Sequence, residues 1–593
     1  MSVIKTKLIS TSVKLLDQLD DNKSEKYFLG DWCLQNKDQI NFENYRYIIQ
    51  KHHWLDLQKY KNDFSYLGDL NERLILALTT QLNQHHNVHF STRYWRIIIG
   101  TWLLTFIPTV YDRWETLRLA FESNRIFEYD LHAFKKQKFI PNNFDEYRIQ
   151  QFTHTWNNYI FSEILISKYA NKVSFNKIGF KEKYPLELIK KRKEPIRIHI
   201  YAQVDKLLSL FNFKYKVIFV RPYFNFFTYL KLSLKLKQIP RLHNVFEKNI
   251  IFKKPLSNND RKLKLHEFAP LNDFETFIKD VLFFHIPKSY LEGYKELENK
   301  ASRVRIKSSI IFTANSHLSN DFFNHWCAKM IETGAILVTS QHGGALKQPQ
   351  NLFLHQEKIA DKMVVWHKPI EPNHVRLSVN KFAQHKQYCN GNELSIVALE
   401  AALYVYRAQP GPYPGFLKDD YKQKINFINN LSREVTQNIK VRAGNRGEGH
   451  FNSRSRYKED LGIEKISSYT SYEKMLSNSK IVVCTYPSTT YLEAMFSGIP
   501  TISLYKKDHW QFDPIFDKLI KILVQNKMIF YDSSQAAEHI NNIWNNPWDW
   551  WNSDQVHLAR KMFFETCGNL EEDSLNEWSS FFSNLSKDLP TRD

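Results

Sequence analysis

Cysteine is scarce. The five in 593 residues, Cys33, Cys327, Cys389, Cys484 and Cys567, lie far apart, and no pair has CxxC or other metal-ligand spacing. This excludes a disulfide framework and a cysteine-built metal site, and it fits a reducing compartment. Long apolar runs are also missing. The N-terminal MSVIKTKLISTS carries no extended apolar core of a signal peptide. The most apolar stretch, residues 96–108 (RIIIGTWLLTFIP), has only about half of the roughly 20 residues needed to span a bilayer. The expected location is cytoplasmic, with peripheral contact to an anionic inner membrane left open. The serine-nucleophile elbow, HExxH and CxxC patterns are absent, so hydrolase and metalloenzyme readings have little support. Basic and aromatic residues do not interleave in an RNA-binding motif, and nucleic acid is not an expected partner.

Acidic residues are outnumbered: 62 Asp and Glu against 82 Lys and Arg leave a formal charge of +20. That surplus suits an anionic partner such as a bilayer surface or a charged sugar nucleotide, although coding bias also produces it. The length exceeds one core, so two domains plus accessory helices are expected. A 43% hydrophobic and 15% aromatic content is that of a globular chain.

Residues 481–505 (IVVCTYPSTTYLEAMFSGIPTISLY) organise the reading. They give a buried strand, a polar turn at Ser488, Thr489 and Thr490, a helix carrying Glu493, and a second apolar strand. A strand ending in hydroxyl residues at a helix N-terminus offers unpaired N–H groups and a positive dipole end to a phosphate. Helix capping by Ser488 is the structural alternative. Upstream, strand–helix alternation from 217 onward argues for parallel sheets flanked by helices. The strands are VIFV at 217–220, SIIFTA at 309–314 and AILVT at 335–339 in a first unit, then one within 393–399 and IKVR at 439–442 in a second. The region before them reads as mostly helical: Leu74, Leu78 and Leu82 recur at helical spacing, with an end near Asn83, and a second helix holds Tyr94, Trp95 and Trp102. The basic run at 190–197 reads as a solvated connector. The expected organisation is α/β: a helical accessory region over 1–195, Rossmann-like units over 196–385 and 386–540 facing a cleft, and C-terminal helices over 541–593 packing back over the junction.

Ligands of such sheets bind at strand carboxyl ends. In the first unit these ends hold NSHLSND (315–321) and SQHGG (340–344), so Asn315, His317 and Asp321 are expected to converge with Gln341, His342, Gly343 and Gly344. Glu357 is a further carboxylate on a helix, where a solvated face is the simpler reading. In the second unit, Arg442 ends a strand and AGNRGEGH follows, with Arg446 and glycines that let backbone approach an anion. The stretch HHNVH at 85–89 has no companion Cys or acid, and a polar loop or cleft lining is expected there in place of a metal site.

Taken jointly, YFLGDWC, HHWLD, STRYWRIIIGTWL with YDRW, ANSHLSND, SQHGG, IADKMVVWH and TYPSTTYLEAMFSGIPTI resemble a bacterial transferase family encoded among surface-polysaccharide genes. That family is similar to GT-B glycosyltransferases, some of which transfer nonulosonic acids such as pseudaminic acid from a CMP-activated donor with retention. The resemblance implies a CMP site at Ser488, Thr489, Thr490 and Glu493 with Arg442 and Arg446 nearby. Asn315, Gln341, Gly343 and Gly344 would face the sugar, and a catalytic group would be drawn from Asp321, His317, His342 and Glu357. It also implies a glycan or lipid-linked glycan acceptor. A CMP-linked donor expels a single phosphate, which basic side chains and helix amides can stabilise, so no obligatory metal or other cofactor is expected. In place of the Arg-x-Tyr-Pro-like run expected after the strand holding Arg442, this chain has Arg-Ala-Gly-Asn-Arg. A Kdo or glycerophosphate-type polymer transferase, and a non-catalytic glycan-binding part of an export complex, are the alternatives.

Overall fold

The computed structural model describes residues 6–12, 24–34, 45–123, 125–189, 200, 203–204, 215–241, 244–247, 250, 252, 255–257, 259–304, 306, 308–344, 346, 353–380, 387–408, 414–568 and 573–587. The basic run at 190–197, the expected boundaries near 195 and 385, and residues 345 and 347–349 after the SQHGG loop lie outside them.

The described residues form three five-stranded sheets, and every strand pair is parallel. Sheet A has order β3-β2-β1-β4-β5, from β1 (Thr6–Ile9), β2 (Glu25–Phe28), β3 (Tyr47–Ile49), β4 (Phe127–His132) and β5 (Val173–Ile178). Sheet B has order β10-β9-β8-β7-β6, from β6 (Val217–Val220), β7 (Ile310–Thr313), β8 (Ile336–Ser340), β9 (Lys362–Val365) and β10 (His374–Arg376). Sheet C has order β12-β11-β13-β14-β15, from β11 (Glu393–Val397), β12 (Ile439–Arg442), β13 (Ser479–Cys484), β14 (Thr501–Leu504) and β15 (Ile529–Phe530). Strands covered on both faces need apolar side chains throughout, and all four residues of β7 and of β14 are buried.

Sheets B and C are the two Rossmann-like units expected from the alternation. Sheet A corrects the expectation of a mostly helical N-terminal region. Its strands are three to six residues long, and two 30-residue helices part β3 from β4, so no sustained period-2 pattern marks them.

Those helices are α1 (Leu57–His86) and α2 (Thr92–Phe121). Asp56 caps α1 by accepting from Gln58 N and Lys59 N, and Asn87 ends it with φ 54°. The helix thus runs past Asn83 and takes in His85 and His86. His86 Nε2 lies 2.9 Å from Tyr290 O and its ring stacks on Tyr294 at 4.0 Å, a packing role at a helix end. Ser91 caps α2 by accepting from Tyr94 N. The apolar run 96–108 is buried on nearly every side because α2 is central to the molecule. Among the described residues no helix is long and apolar enough to cross a membrane.

Helices α3 (Phe226–Lys235), α4 (Asp321–Glu332) and α5 (Phe353–Ile359) follow β6, β7 and β8, and α6 (Ser453–Leu461) and α7 (Thr489–Phe496) follow β12 and β13. The last helix, α8 (Ser574–Lys587), returns to sheet B, where Trp578 and Phe582 pack with Val217, Ile310 and Phe312. One continuous core includes α1, α2, the α2-facing side of α4, and Leu403, Tyr404 and Val405 from the second unit. The N-terminal region is therefore packed into the molecule's centre.

Burial holds His86 and His154 at about 4 and His325 and His355 at about 3, against 6.5 for an ordinary histidine. Each lowered value means that the unfolded chain binds the extra proton first as pH falls. This contribution is intact above 6.5 and is lost as pH drops from 6.5 toward the lowered values. Thermal melts are expected to show a Tm that holds above about pH 7 and declines steadily toward about pH 5, where most surface carboxylates are still ionised. A Tm constant across that window contradicts neutral burial of these histidines.

Candidate active site between sheets B and C

In sheet C the chain leaves β11 toward β12 and returns on the other side of β11 as β13, which makes the carboxyl ends of β11 and β13 the switch point where open α/β sheets take ligands. Thr485 locks the two ends: its N–H donates to Val397 O at 3.0 Å and its Oγ1 accepts from Leu399 N at 3.0 Å. Beyond it Ser488 stands at the N-cap of α7 without a side-chain capping bond. The first-turn amides and the positive end of the dipole are thus left without a side-chain acceptor from that residue.

Around this turn the structure gathers several of the expected nucleotide residues. The Arg442 guanidinium sits 5.9 Å from the Tyr472 ring centre and donates through Nη1 to Tyr469 O at 3.4 Å. Tyr472 OH donates to Thr490 O at 2.9 Å, and the Thr490 hydroxyl faces Tyr486 and Cys484. Burial pushes the Tyr472 phenol far up, and Cys484 and Glu493 beside it add to the shift. Burial raises Tyr486 as well, with Arg442 pulling the other way. Arg442, Thr490 and Glu493 thus share one tyrosine-lined corner.

Arg446 is different. It is exposed, on a loop whose fold is fixed by Glu400. The Glu400 carboxylate accepts from Asn452 N at 3.0 Å, Ser453 N at 2.8 Å and Ser453 Oγ at 2.7 Å, so an internal anion already fills the N-terminus of α6. The glycine loop is a poor phosphate cradle for that reason, and the expectation for Arg446 is corrected accordingly.

On sheet B the carboxyl ends of β6, β7 and β8 carry 221–225 (RPYFN), 315–317 and 341–344. Asn315 Nδ2 donates to Tyr223 OH at 2.8 Å, and the Tyr223 ring lies 6.1 Å from that of the half-buried His342. Gln341 braces its own loop: Nε2 donates to Gly344 O at 2.9 Å and Oε1 accepts from Trp366 N at 3.0 Å. With that brace, and φ 77° at Gly344, the loop reaches across to sheet C. The Gly344 N–H donates to Thr489 Oγ1 at 2.7 Å. The two motifs picked from sequence, SQHGG and PSTT, therefore meet directly.

His317 sits behind this contact, fully buried, with neither ring nitrogen hydrogen-bonded among the described residues. Burial, then His355 and His342 nearby, holds it far below the ordinary histidine range, so it is neutral. His355 in turn packs against Gly100 of α2, where a Cβ would stand 2.5 Å from Cε1. Asp321 is also buried. Its Oδ2 accepts from Ser289 Oγ at 2.7 Å and Phe144 N at 3.1 Å, and its Oδ1 accepts from Tyr290 OH at 3.0 Å. Burial raises its pKa to about 6 against the pull of those three donors. It lines a cavity of about 80 Å³ with Asp145, Arg221 and Asn320, and it ties three segments together. Glu357 does not reach the cleft. It pairs with His374 at 3.1 Å, beside the amino ends of β9 and β10, the opposite edge of the sheet. A catalytic role for Glu357 is corrected on that geometry.

Among the described residues, one group has metal-ligand proximity. His52 Nε2 and His53 Nε2 lie 2.8 and 3.0 Å from Asp112 Oδ1. Arg113 Nη1 is 2.6 Å from Asp112 Oδ2, so a buried cation already serves this carboxylate. The donor set is that of a hydrogen-bonded core network, which does not favour a second cation.

Sequence reasoning missed Arg221, Tyr223, Glu400 and His355. The first three follow strand ends directly, in RPY after VIFV and in VALEA after β11, and the carboxyl-end rule points to them. His355 had no such signal.

Gly343→Ala tests the cleft contact, because its methyl would come within 2.8 Å of Thr489 Oγ1. The expected result is weaker nucleotide binding in a thermal-shift assay with the radius of gyration unchanged, while Gly68→Ala, with nothing within 4 Å, binds as wild type. Unaltered binding in Gly343→Ala would contradict the contact.

No curated protein sequence matches the chain. Among solved structures it is similar to spinosyn rhamnosyltransferase SpnG complexed with spinosyn aglycone, at 8% identity and TM-score 0.26, over 50% of this chain and 82% of that one. It is also similar to Glycyrrhiza uralensis UGT73P12 complexed with glycyrrhetinic acid 3-O-monoglucuronide, at 10% identity and TM-score 0.23, over 81% and 94%. Across residues 8–582 the sequence matches the model of the LIC12162 family transferase, and the chain belongs to that transferase family.

Proposed function

We propose that the chain is a glycosyltransferase that moves a nonulosonic acid, pseudaminic acid first among them, from a CMP-activated donor to a glycan acceptor of a capsule or other surface polysaccharide. The observation that carries this reading is the Gly344–Thr489 hydrogen bond, which sets the uncapped N-terminus of α7 against the SQHGG loop. A donor phosphate at α7 has Arg442 on one side and puts its sugar toward His342 and Tyr223. CMP leaves as a single phosphate ester, and helix amides with one guanidinium suffice to stabilise that charge.

His342, half-buried in the cleft, is the group that takes the acceptor hydroxyl's proton, with neutral His317 buried nearby. Retention, implied by the family resemblance, takes two displacements at the anomeric carbon. Asp321, the candidate carboxylate at the strand carboxyl ends, attacks once released from its Tyr290 bond as the bond to the CMP phosphate breaks, and the acceptor oxygen, giving its proton to His342, then displaces the Asp321 carboxylate. The acidic sugar as donor accords with the chain's basic surplus.

In a thermal-shift panel of CMP, UDP, GDP and CDP-glycerol, CMP is expected to give the largest shift, and Arg442→Ala to lower it. A larger shift with UDP or CDP-glycerol contradicts the donor assignment. Transfer is expected to survive EDTA, and activity lost in EDTA and restored by magnesium overturns the metal-free route. His342→Ala is expected to reduce kcat by about 10²–10⁴-fold with little change in donor affinity.

A further inference from the structure

Helix α3 follows the cleft-lining turn of sheet B. Its sequence, FFTYLKLSLK, contains lysines and no acid. Thr228, Leu232 and Ser233 face inward, with Leu232 packed in the sheet B core. The outward side repeats at helical spacing through Phe227, Lys231 and Leu234, and Lys237 continues it past the helix end, all exposed. Phe226, Phe227 and Leu234 keep 52%, 66% and 68% of their surface in solvent. Lys235 reaches Asn576 on α8, which fixes one flank.

The approach to this helix is conformationally unusual. Arg221 and Tyr223 have φ of 47° and 63°. Left-handed backbone in non-glycine residues is held against a local cost and concentrates at functional sites. The same turn sets Tyr223 beside His342. The exposed aromatic face therefore begins at the mouth of the cleft.

We propose that this face docks on an anionic lipid bilayer, with Phe226, Phe227 and Leu234 in the headgroup–acyl boundary and Lys231 and Lys237 on the phosphates. Three large apolar side chains framed by lysine, without an acid, have the composition of an interfacial helix. Lysine is depleted from protein–protein interface cores, which makes a second copy of the chain the poorer occupant. The net charge of +20 favours an anionic surface, and each lysine near it adds attraction. Docked this way, the cleft opens at the membrane, where a lipid-linked acceptor is held. That last consequence rests on the glycosyltransferase reading, and the docking itself does not.

The test is co-sedimentation of the full chain with vesicles of phosphatidylcholine alone and of phosphatidylcholine with phosphatidylglycerol. Binding is expected only to the second, to fall with added salt, and to drop roughly tenfold or more in Lys231→Glu and in Phe226→Ser/Phe227→Ser. Both variants are expected to keep the wild-type Tm and to keep CMP release with a water-soluble acceptor, so failure of docking and failure of the activity read separately. Equal binding of wild type and variants, absence of binding to the anionic vesicles, or a dimer in size-exclusion chromatography that Phe226→Ser/Phe227→Ser dissociates would each overturn the proposal.

Discussion

The hydrogen bond from Gly344 N–H to Thr489 Oγ1 joins the strand-end loops of the molecule's two sheet units, and the candidate site depends on it. Each loop is held rigid from its own side. Gln341 ties the SQHGG loop to Trp366, and Thr485 ties the β13 end to β11. Because both supports are backbone-directed bonds, the contact position is set by the two sheets and little by side-chain freedom. A helix N-terminus alone binds many anions. Placed against a second polar strand end, it becomes one wall of a cleft with a defined partner wall.

The N-terminal region supports this arrangement from the centre. Arg113 is fully buried, shared between Asp112 and Asn157 Oδ1, with its guanidinium 5.2 Å from the Tyr404 ring of the second unit. His154 Nδ1 lies 2.7 Å from Tyr404 OH, and Glu448 accepts from the His154 backbone N–H. Polar groups buried this way are costly unless every partner is present, so the network fixes where the second unit sits on the first. On the other side α2 presents Gly100 to His355, which stands behind His317. Sheet A, α1 and α2 thus form a scaffold in contact with both walls of the cleft.

Much of the site was legible because parallel α/β sheets put chemistry at strand carboxyl ends, and strands such as IIFT and IVVC are apolar enough to be found. From them the turns at Asn315, Gln341 and Ser488 follow. Sheet A was hidden by strands too short to show a period. Glu357 and Arg446 were misplaced for a different reason: residue type and loop composition do not say which edge of a sheet a helix end reaches, or whether a distant carboxylate such as Glu400 already occupies the amides. Asp321 stands after β7 as the sequence order requires, but its three donors come from residues 144, 289 and 290, which no local pattern connects to it.

A CMP-sugar held as proposed bridges the two loops joined at Gly344 and Thr489, its phosphate at α7 and its sugar at the SQHGG loop. Hydrogen–deuterium exchange of the full chain with and without CMP-pseudaminic acid measures this directly. Added protection is expected in two separated stretches, 485–493 and 341–344, with Arg442 neighbours following. Protection confined to the glycine loop at 443–452, or none in either stretch at saturating donor, would rule out a shared site.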